Sequence, residues 1–188
     1  MRIISGKYRG KTLTTPTHGG TRPTSDRTRE MIFNVLLHNP AFGPGILNDK
    51  TVLDLFAGTG ALGLEAHSRG AKSVTFIEND KATLPILHVN VKAFDLPSSC
   101  ILEQDAQYLQ RAPSSAPFDL VFLDPPYHQN LVITALQQLF IQKGWLSKEA
   151  VIVIEMAKHE SLQLPSFLSL LLERTSGAAK VLFCFAKL

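Results

Sequence analysis

Thr51-Val52-Leu53-Asp54-Leu55-Phe56-Ala57-Gly58-Thr59-Gly60-Ala61-Leu62-Gly63 decides how this chain is read. The first half is an apolar run of the kind found in strands buried on both faces. The second half spaces Gly58, Gly60 and Gly63 as G-x-G-x-x-G and leads into the helical stretch Leu64-Glu65-Ala66. Glycines so spaced allow a tight turn, close backbone approach to a ligand and close helix–strand packing. A second strand-like run, Ser73-Val74-Thr75-Phe76-Ile77, ends in Glu78, 20 residues past Gly58. An acid at that place can accept hydrogen bonds from both hydroxyls of a ribose. Strand, glycine loop, helix, strand and acid together predict a pocket for a nucleoside-containing cofactor.

A nicotinamide dinucleotide and S-adenosylmethionine compete for that pocket. A dinucleotide needs its pyrophosphate at the helix N-terminus. Asp54, four residues before Gly58, puts a carboxylate there. That is awkward for a pyrophosphate and suited to the cationic amino group of methionine. The short chain also leaves little room for a hydride-acceptor domain, so S-adenosylmethionine is the expected cofactor. Asp54 tying down the glycine loop is the competing role, and the sequence leaves it open.

Farther along, the apolar run Phe118-Asp119-Leu120-Val121-Phe122-Leu123 precedes Asp124-Pro125-Pro126-Tyr127. Ligands of open α/β sheets bind outside the carboxyl ends of strands, where this tetrapeptide falls. The prolines fix an extended backbone and remove two amide donors. What is left is a carboxylate, carbonyl acceptors and an aromatic face, which suit a planar substrate with an exocyclic amine.

Asp54-Leu55-Phe56-Ala57-Gly58-Thr59-Gly60 resembles motif I of class I S-adenosylmethionine-dependent methyltransferases, and Asp124-Pro125-Pro126-Tyr127 resembles their motif IV for exocyclic amines. Arg2-Ile3-Ile4-Ser5-Gly6-Lys7-Tyr8-Arg9-Gly10-Lys11 and Arg22-Pro23-Thr24-Ser25-Asp26-Arg27-Thr28-Arg29-Glu30 are similar to the opening of the RsmD family, which methylates guanine N2 in 16S ribosomal RNA. The resemblance runs from residue 1 to about residue 155. It implies an α/β, Rossmann-like fold with a mostly parallel seven-stranded sheet, last strand antiparallel, and a small N-terminal β-hairpin extension. It further implies that Asp54, Phe56, Ala57, Gly58, Gly60, Glu78, Asn79, Asp105, Ala106 and Asp124 hold the cofactor. Asp124, Pro125 and Tyr127 would act on the target amine, with the Tyr127 ring stacking on a base taken out of its helix. Asp105 lies by the adenine amine in that family; a plain helix N-cap before Ala106-Gln107-Tyr108-Leu109 explains it equally well.

The chain has 188 residues, 45% of them apolar and 19% charged, ordinary values for one globular domain. No apolar run approaches the ~18 residues of a membrane span, and no signal peptide is legible. A cytoplasmic protein is therefore expected. Cys100 and Cys184 are isolated and read as inert, and the histidines at 18, 38, 67, 88, 128 and 159 show no ligand spacing, so no metal is expected. Net charge is only +3, but residues 1–50 hold eight Lys/Arg against three acids. A basic arm beside a near-neutral body points to phosphate contacts at one end, with a solvated basic surface as the plain alternative.

Arg2–Lys7 and Lys11–Thr15 read as a hairpin around Tyr8-Arg9-Gly10. Thr24-Ser25-Asp26 is able to cap a helix with an apolar stripe of Met31, Ile32, Val35 and Leu36. Strands are expected near 51–56, 73–78, 100–103, 118–123 and 150–155 with helices between, then a hairpin from 167–172 and 181–185. Trp145 reads as packing, and His128 as a loop residue beside the target. Residues 1–45 form a basic RNA-binding extension in this reading, carried by Arg2, Lys7, Arg9, Lys11, Arg22, Thr24 and Arg27, and 46–188 the methyltransferase domain. The expected protein is a monomer whose partner is 16S ribosomal RNA or the assembling small subunit. The alternatives are a DNA adenine-N6 methyltransferase, disfavoured for want of a target-recognition domain, and a non-catalytic RNA-binding assembly factor.

Overall fold

The computed structural model describes residues 1–16, 25–126 and 131–188. Its helices are α1 (Asp26–His38), α2 (Ala61–Ser68), α3 (Leu84–Ala93) and α4 (Leu131–Ile141). Its strands are β1 (Thr51–Asp54), β2 (Ser73–Glu78), β3 (Ile101–Glu103), β4 (Phe118–Leu123), β5 (Leu146–Ala157), β6 (Leu168–Ser176) and β7 (Ala179–Ala186). They form one seven-stranded sheet in the order β3-β2-β1-β4-β5-β7-β6. Pairing is parallel from β3 to β5, and β7 runs antiparallel between β5 and β6. This is the predicted sheet.

Alternate residues of each apolar strand serve opposite faces. Val52, Val74, Phe76, Leu120 and Phe122 pack beneath Ile32, Phe33, Leu36, Leu64, Leu87 and Val91 of α1, α2 and α3. Ile3 and Leu13 of the N-terminal segment join the same cluster. Leu53, Ile77, Val121, Leu123 and Ile152 face the other way, toward α4 and a loop carrying Ala106 and Leu109. The strand order reverses between β1 and β4, so their carboxyl ends flank the crevice in which such sheets bind ligands. Asp54 ends β1 and Asp124 directly follows β4. No helix among the described residues is long and apolar enough to cross a membrane.

Four local expectations change. The N-terminal hairpin is reduced to a single antiparallel bridge, Arg2 to Thr12. Its ladder stops because the next amides are taken by α2: Ile4 and Ser5 donate to the Glu65 carboxylate, Lys7 to the Ser68 carbonyl and Tyr8 to the Ser68 hydroxyl. Gly6 lies so close that a Cβ there would sit 1.9 Å from the Ser68 carbonyl oxygen. No helix separates β3 from β4; the Asp105 carboxylate accepts from the Gln107 amide at 2.8 Å and closes a turn instead. On α1 the fully buried stripe is Thr28, Arg29, Ile32, Phe33 and Leu36, one position away from the expected one, with Met31 and Val35 half-buried. Finally, β6 continues through the polar Glu173-Arg174-Thr175-Ser176, because an edge strand needs only its ladder with β7.

Candidate active site

Backbone geometry builds the loop after β1. The Leu55 amide donates to the Phe122 carbonyl and the Ala57 amide to that of Ile77, so the chain leaves the sheet between its two neighbours. Gly58 and Gly60 then take φ of 54° and 82°, left-handed values that glycine adopts without a Cβ clash. At Gly63 the reason is space: a Cβ would lie 2.5 Å from the Phe76 ring and 2.8 Å from Val74. A Cβ on Gly58, in contrast, would meet nothing within 4 Å, so that side of the loop is open to a ligand. Phe56 is half-buried and Ala57 buried beside it.

Asp54 is 1% exposed, and its Oδ2 accepts from the Gly63 amide in the first turn of α2 at 2.9 Å. Burial pushes its carboxyl up to about 8, the Gly63 hydrogen bond partly opposes this, and the nearby Asp124 and Glu78 push further upward. Asp54 thus does tie down the glycine loop. It is also a buried acid facing two other acids, an environment that a cationic ligand would relieve. That chemistry fits the ammonium and sulfonium of S-adenosylmethionine and opposes a pyrophosphate.

Glu78 also braces the loop. Its Oε2 accepts from the Gly58 amide at 2.8 Å, and its Oε1 from the amides of Asn79 and Asp80 at 2.9 and 2.8 Å. A carboxylate has about four acceptor sites. Three are engaged here, so accepting from both ribose hydroxyls requires giving up a backbone amide. Asp105 is half-buried and Ala106 buried in the turn after β3, one strand beyond Glu78. Asp124 is half-buried at the mouth, Pro125 buried and Pro126 exposed. Tyr127 and His128 lie outside the described residues, as do Arg22 and Thr24.

The expected RNA contacts divide. Arg2, Lys7 and Arg9 are exposed on the N-terminal segment. Lys7 Nζ stands 4.8 Å over the Tyr8 ring, whereas Lys11 turns inward, donating to the Ala93 carbonyl at the end of α3 and standing 4.6 Å over the Phe94 ring. Arg27 lines a separate groove along α1 with Glu30, Asn34, His38 and Arg174. Arg29, two residues on, points inward instead. Among the described residues no group of three or more His, Cys, Asp or Glu is placed to hold a metal. Burial pushes the Cys100 and Cys184 thiols up to about 11 and about 12, which suppresses the reactive thiolate.

A buried ionic knot escaped the sequence reading. Arg29 and Glu65 are both 0% exposed. Glu65 accepts from the Ile4 and Ser5 amides at 2.8 and 3.0 Å and from Arg69 Nε at 2.7 Å, with Arg29 Nε 3.6 Å away. Arg29 Nη2 donates to the Arg2 carbonyl at 2.6 Å and to Asp26 at 2.9 Å. The knot clamps the basic segment onto α1 and α2. Its signals were an arginine at the i−3 position of the Ile32 stripe and an acid amid the small and apolar residues of α2.

A model of the family described as conserved hypothetical protein 95 matches residues 1–185. The ribosomal RNA small subunit methyltransferase D of Haemophilus influenzae is 38% identical over 180 residues, 94% of this chain and 89% of that protein. Its counterpart in Escherichia coli K12 is 36% identical over 178 residues, 94% and 85% of the two chains. A solved candidate methyltransferase from Escherichia coli shares 34% identity at a TM-score of 0.80, over 100% of this chain and 98% of that one. Matches of this extent reach from the basic segment to the last strand, and the chain belongs to the RsmD family of methyltransferases.

Proposed function

We propose that the chain transfers a methyl group from S-adenosylmethionine to the exocyclic N2 amine of a guanine in small-subunit ribosomal RNA, acting as a cytoplasmic monomer on the RNA or the assembling subunit. The observation that carries the reading is the meeting of Asp54, Glu78 and Asp124 at the switch point of the sheet, beside the open face of Gly58. The names of the Haemophilus influenzae and Escherichia coli relatives support ribosomal RNA as the substrate.

When bound, the cofactor supplies an electrophilic methyl on a sulfonium. Asp54 would face its cationic amino group, Glu78 its ribose and the Asp105–Ala106 turn its adenine. Asp124 and the Pro125 carbonyl would accept hydrogen bonds from the target amine, whose lone pair is otherwise delocalised into the guanine ring. That orients the nitrogen and favours the positive charge that grows on it in the transition state. Asp124 need not be a strong base, because a methylated, cationic amine loses its proton readily. Tyr127 would stack on the extruded base, so Tyr127→Phe should be mild and Tyr127→Ala severe. The exposed Arg2, Lys7 and Arg9 would hold phosphates, Arg22 and Thr24 would lie nearer the target base, and Arg27 would meet the RNA from its groove along α1.

The test is methyl transfer from labelled cofactor to small-subunit ribosomal RNA, small subunits and DNA in parallel, followed by nucleoside analysis. N2-methylguanosine from RNA or subunits is the expected product. Label in N6-methyladenosine from DNA, or no transfer at all, would overturn the reading.

A further inference from the structure

We infer that Asn90 is a positioning residue that joins the basic N-terminal segment to the cofactor loop, so that filling the cofactor pocket orders the RNA-binding segment. Asn90 lies in the last turn of α3 and is 2% exposed. Its Oδ1 accepts from the Thr14 amide at 2.8 Å. Its Nδ2 donates to the Thr14 carbonyl at 3.0 Å and to the Thr59 carbonyl at 2.9 Å. Both amide hydrogens and the carbonyl are engaged, which fixes the orientation of the group. One partner belongs to the basic segment and the other to the glycine loop, 45 residues apart in sequence.

Thr59 stands between Gly58 and Gly60, the two left-handed glycines. Glu78 holds this stretch at the Gly58 amide and Asn90 at the Thr59 carbonyl, and a cofactor lying on the open side of Gly58 would add to that hold. Order gained at the Thr59 carbonyl passes through a rigid amide to both backbone groups of Thr14. From there it passes to Met1, whose carbonyl accepts from the Leu13 amide and whose sulfur lies 4.0 Å from the Thr59 hydroxyl. The segment so ordered carries Arg2, Lys7 and Arg9. Its clamp at the other end, Glu65, does not touch the glycine loop through any bond described above, so Asn90 is the strong link from pocket to segment, beside the weak 4.0 Å contact of Thr59 with Met1. The inference rests on the cofactor and RNA readings proposed above.

The test compares hydrogen exchange of residues 1–16 with and without S-adenosylhomocysteine, in the wild type and in Asn90→Asp. Aspartate keeps an acceptor for the Thr14 amide but offers no hydrogen to either carbonyl. In the wild type, ligand should slow exchange of residues 1–16, and it should raise affinity for small-subunit ribosomal RNA by about 3–10-fold, the effect of one or two buried hydrogen bonds. In Asn90→Asp both ligand-dependent differences should vanish while S-adenosylhomocysteine still binds. A residue that merely supported the fold would change exchange equally with and without ligand. Unchanged wild-type exchange with ligand demonstrably bound overturns this inference alone, and it decides the matter even if the variant fails to fold. Failure of the wild type to bind S-adenosylhomocysteine overturns the cofactor reading and the inference with it.

Discussion

Asp54 and Glu65 are both buried carboxylates, eleven residues apart in one β-loop-α unit, and they are buried in opposite ways. Glu65 meets two guanidinium groups and two backbone amides. Asp54 meets one backbone amide, and the charges that bear on it are those of two more acids. An ion buried against opposite charge holds structure together; a carboxyl buried against like charge keeps its proton in the free protein and ionises when a ligand supplies the missing charge. The same loop thus separates the part of the molecule that clamps from the part that binds.

The largest effect should come from breaking the paired side. Glu65→Ala leaves Arg29 buried with Asp26 as its remaining acid and the Ile4 and Ser5 amides without their acceptor, a loss of about 3–5 kcal/mol. In a chain of this size that corresponds to a fall in Tm of roughly 6–20 °C, read from thermal melts. A wild-type melting curve would remove the structural half of the contrast. On the ligand-binding side, Asp124→Ala should cut single-turnover methylation by about 100–1,000-fold, as loss of a charge-stabilising group does, with cofactor affinity within a few-fold. Comparable loss of cofactor affinity would assign Asp124 to the cofactor instead. Asp54→Asn keeps an acceptor for Gly63 and removes the group that can ionise toward the cofactor. It should leave Tm unchanged or higher while weakening S-adenosylmethionine by about 1.5–3 kcal/mol, measured by calorimetry. A destabilised Asp54→Asn would place both acids in the structural class.

Cations repeat the contrast on a smaller scale. Arg9 is exposed, while Lys11 is engaged by Ala93 and the Phe94 ring. Arg9→Ala should flatten the salt dependence of RNA binding by about 0.7–0.9 in slope, and Lys11→Ala should not. Equal slopes for both variants would show that pairing in the free protein does not predict which cations meet phosphate.

The sheet was legible because its strands bury both faces and so appear as unbroken apolar runs, and because Gly58, Gly60 and Gly63 mark a turn that few other residues permit. Gly63 shows the limit: its spacing was readable, but its partner, the Phe76 ring, lies on another strand. Arg29 and Glu65 were missed because charged residues are rarely buried, and only the folded chain brings their partners together. Asp105 was readable as a capping residue, yet it closes a turn, since no apolar periodicity follows it to sustain a helix. The N-terminal hairpin is cut short for a nonlocal reason, as α2 takes the amides that would extend its ladder past the Arg2–Thr12 bridge.

Proton release on cofactor binding tests the central claim most directly. Burial pushes the Asp54 carboxyl up to about 8 in the folded chain, against an ordinary 3.8. Between those values the folded form holds a proton that the unfolded form has lost, so this group's contribution to stability is full below about 3.8 and is lost as pH rises to about 8. A cationic cofactor favours the ionised carboxylate, so binding below about 8 should expel a proton and affinity should climb as pH approaches that value. Calorimetric titration of S-adenosylmethionine near neutral pH, in two buffers of different ionisation enthalpy, measures it. The account predicts heats that differ between the buffers by the release of up to one proton, with the difference abolished in Asp54→Asn. Identical heats in both buffers, with affinity flat across pH, would contradict it.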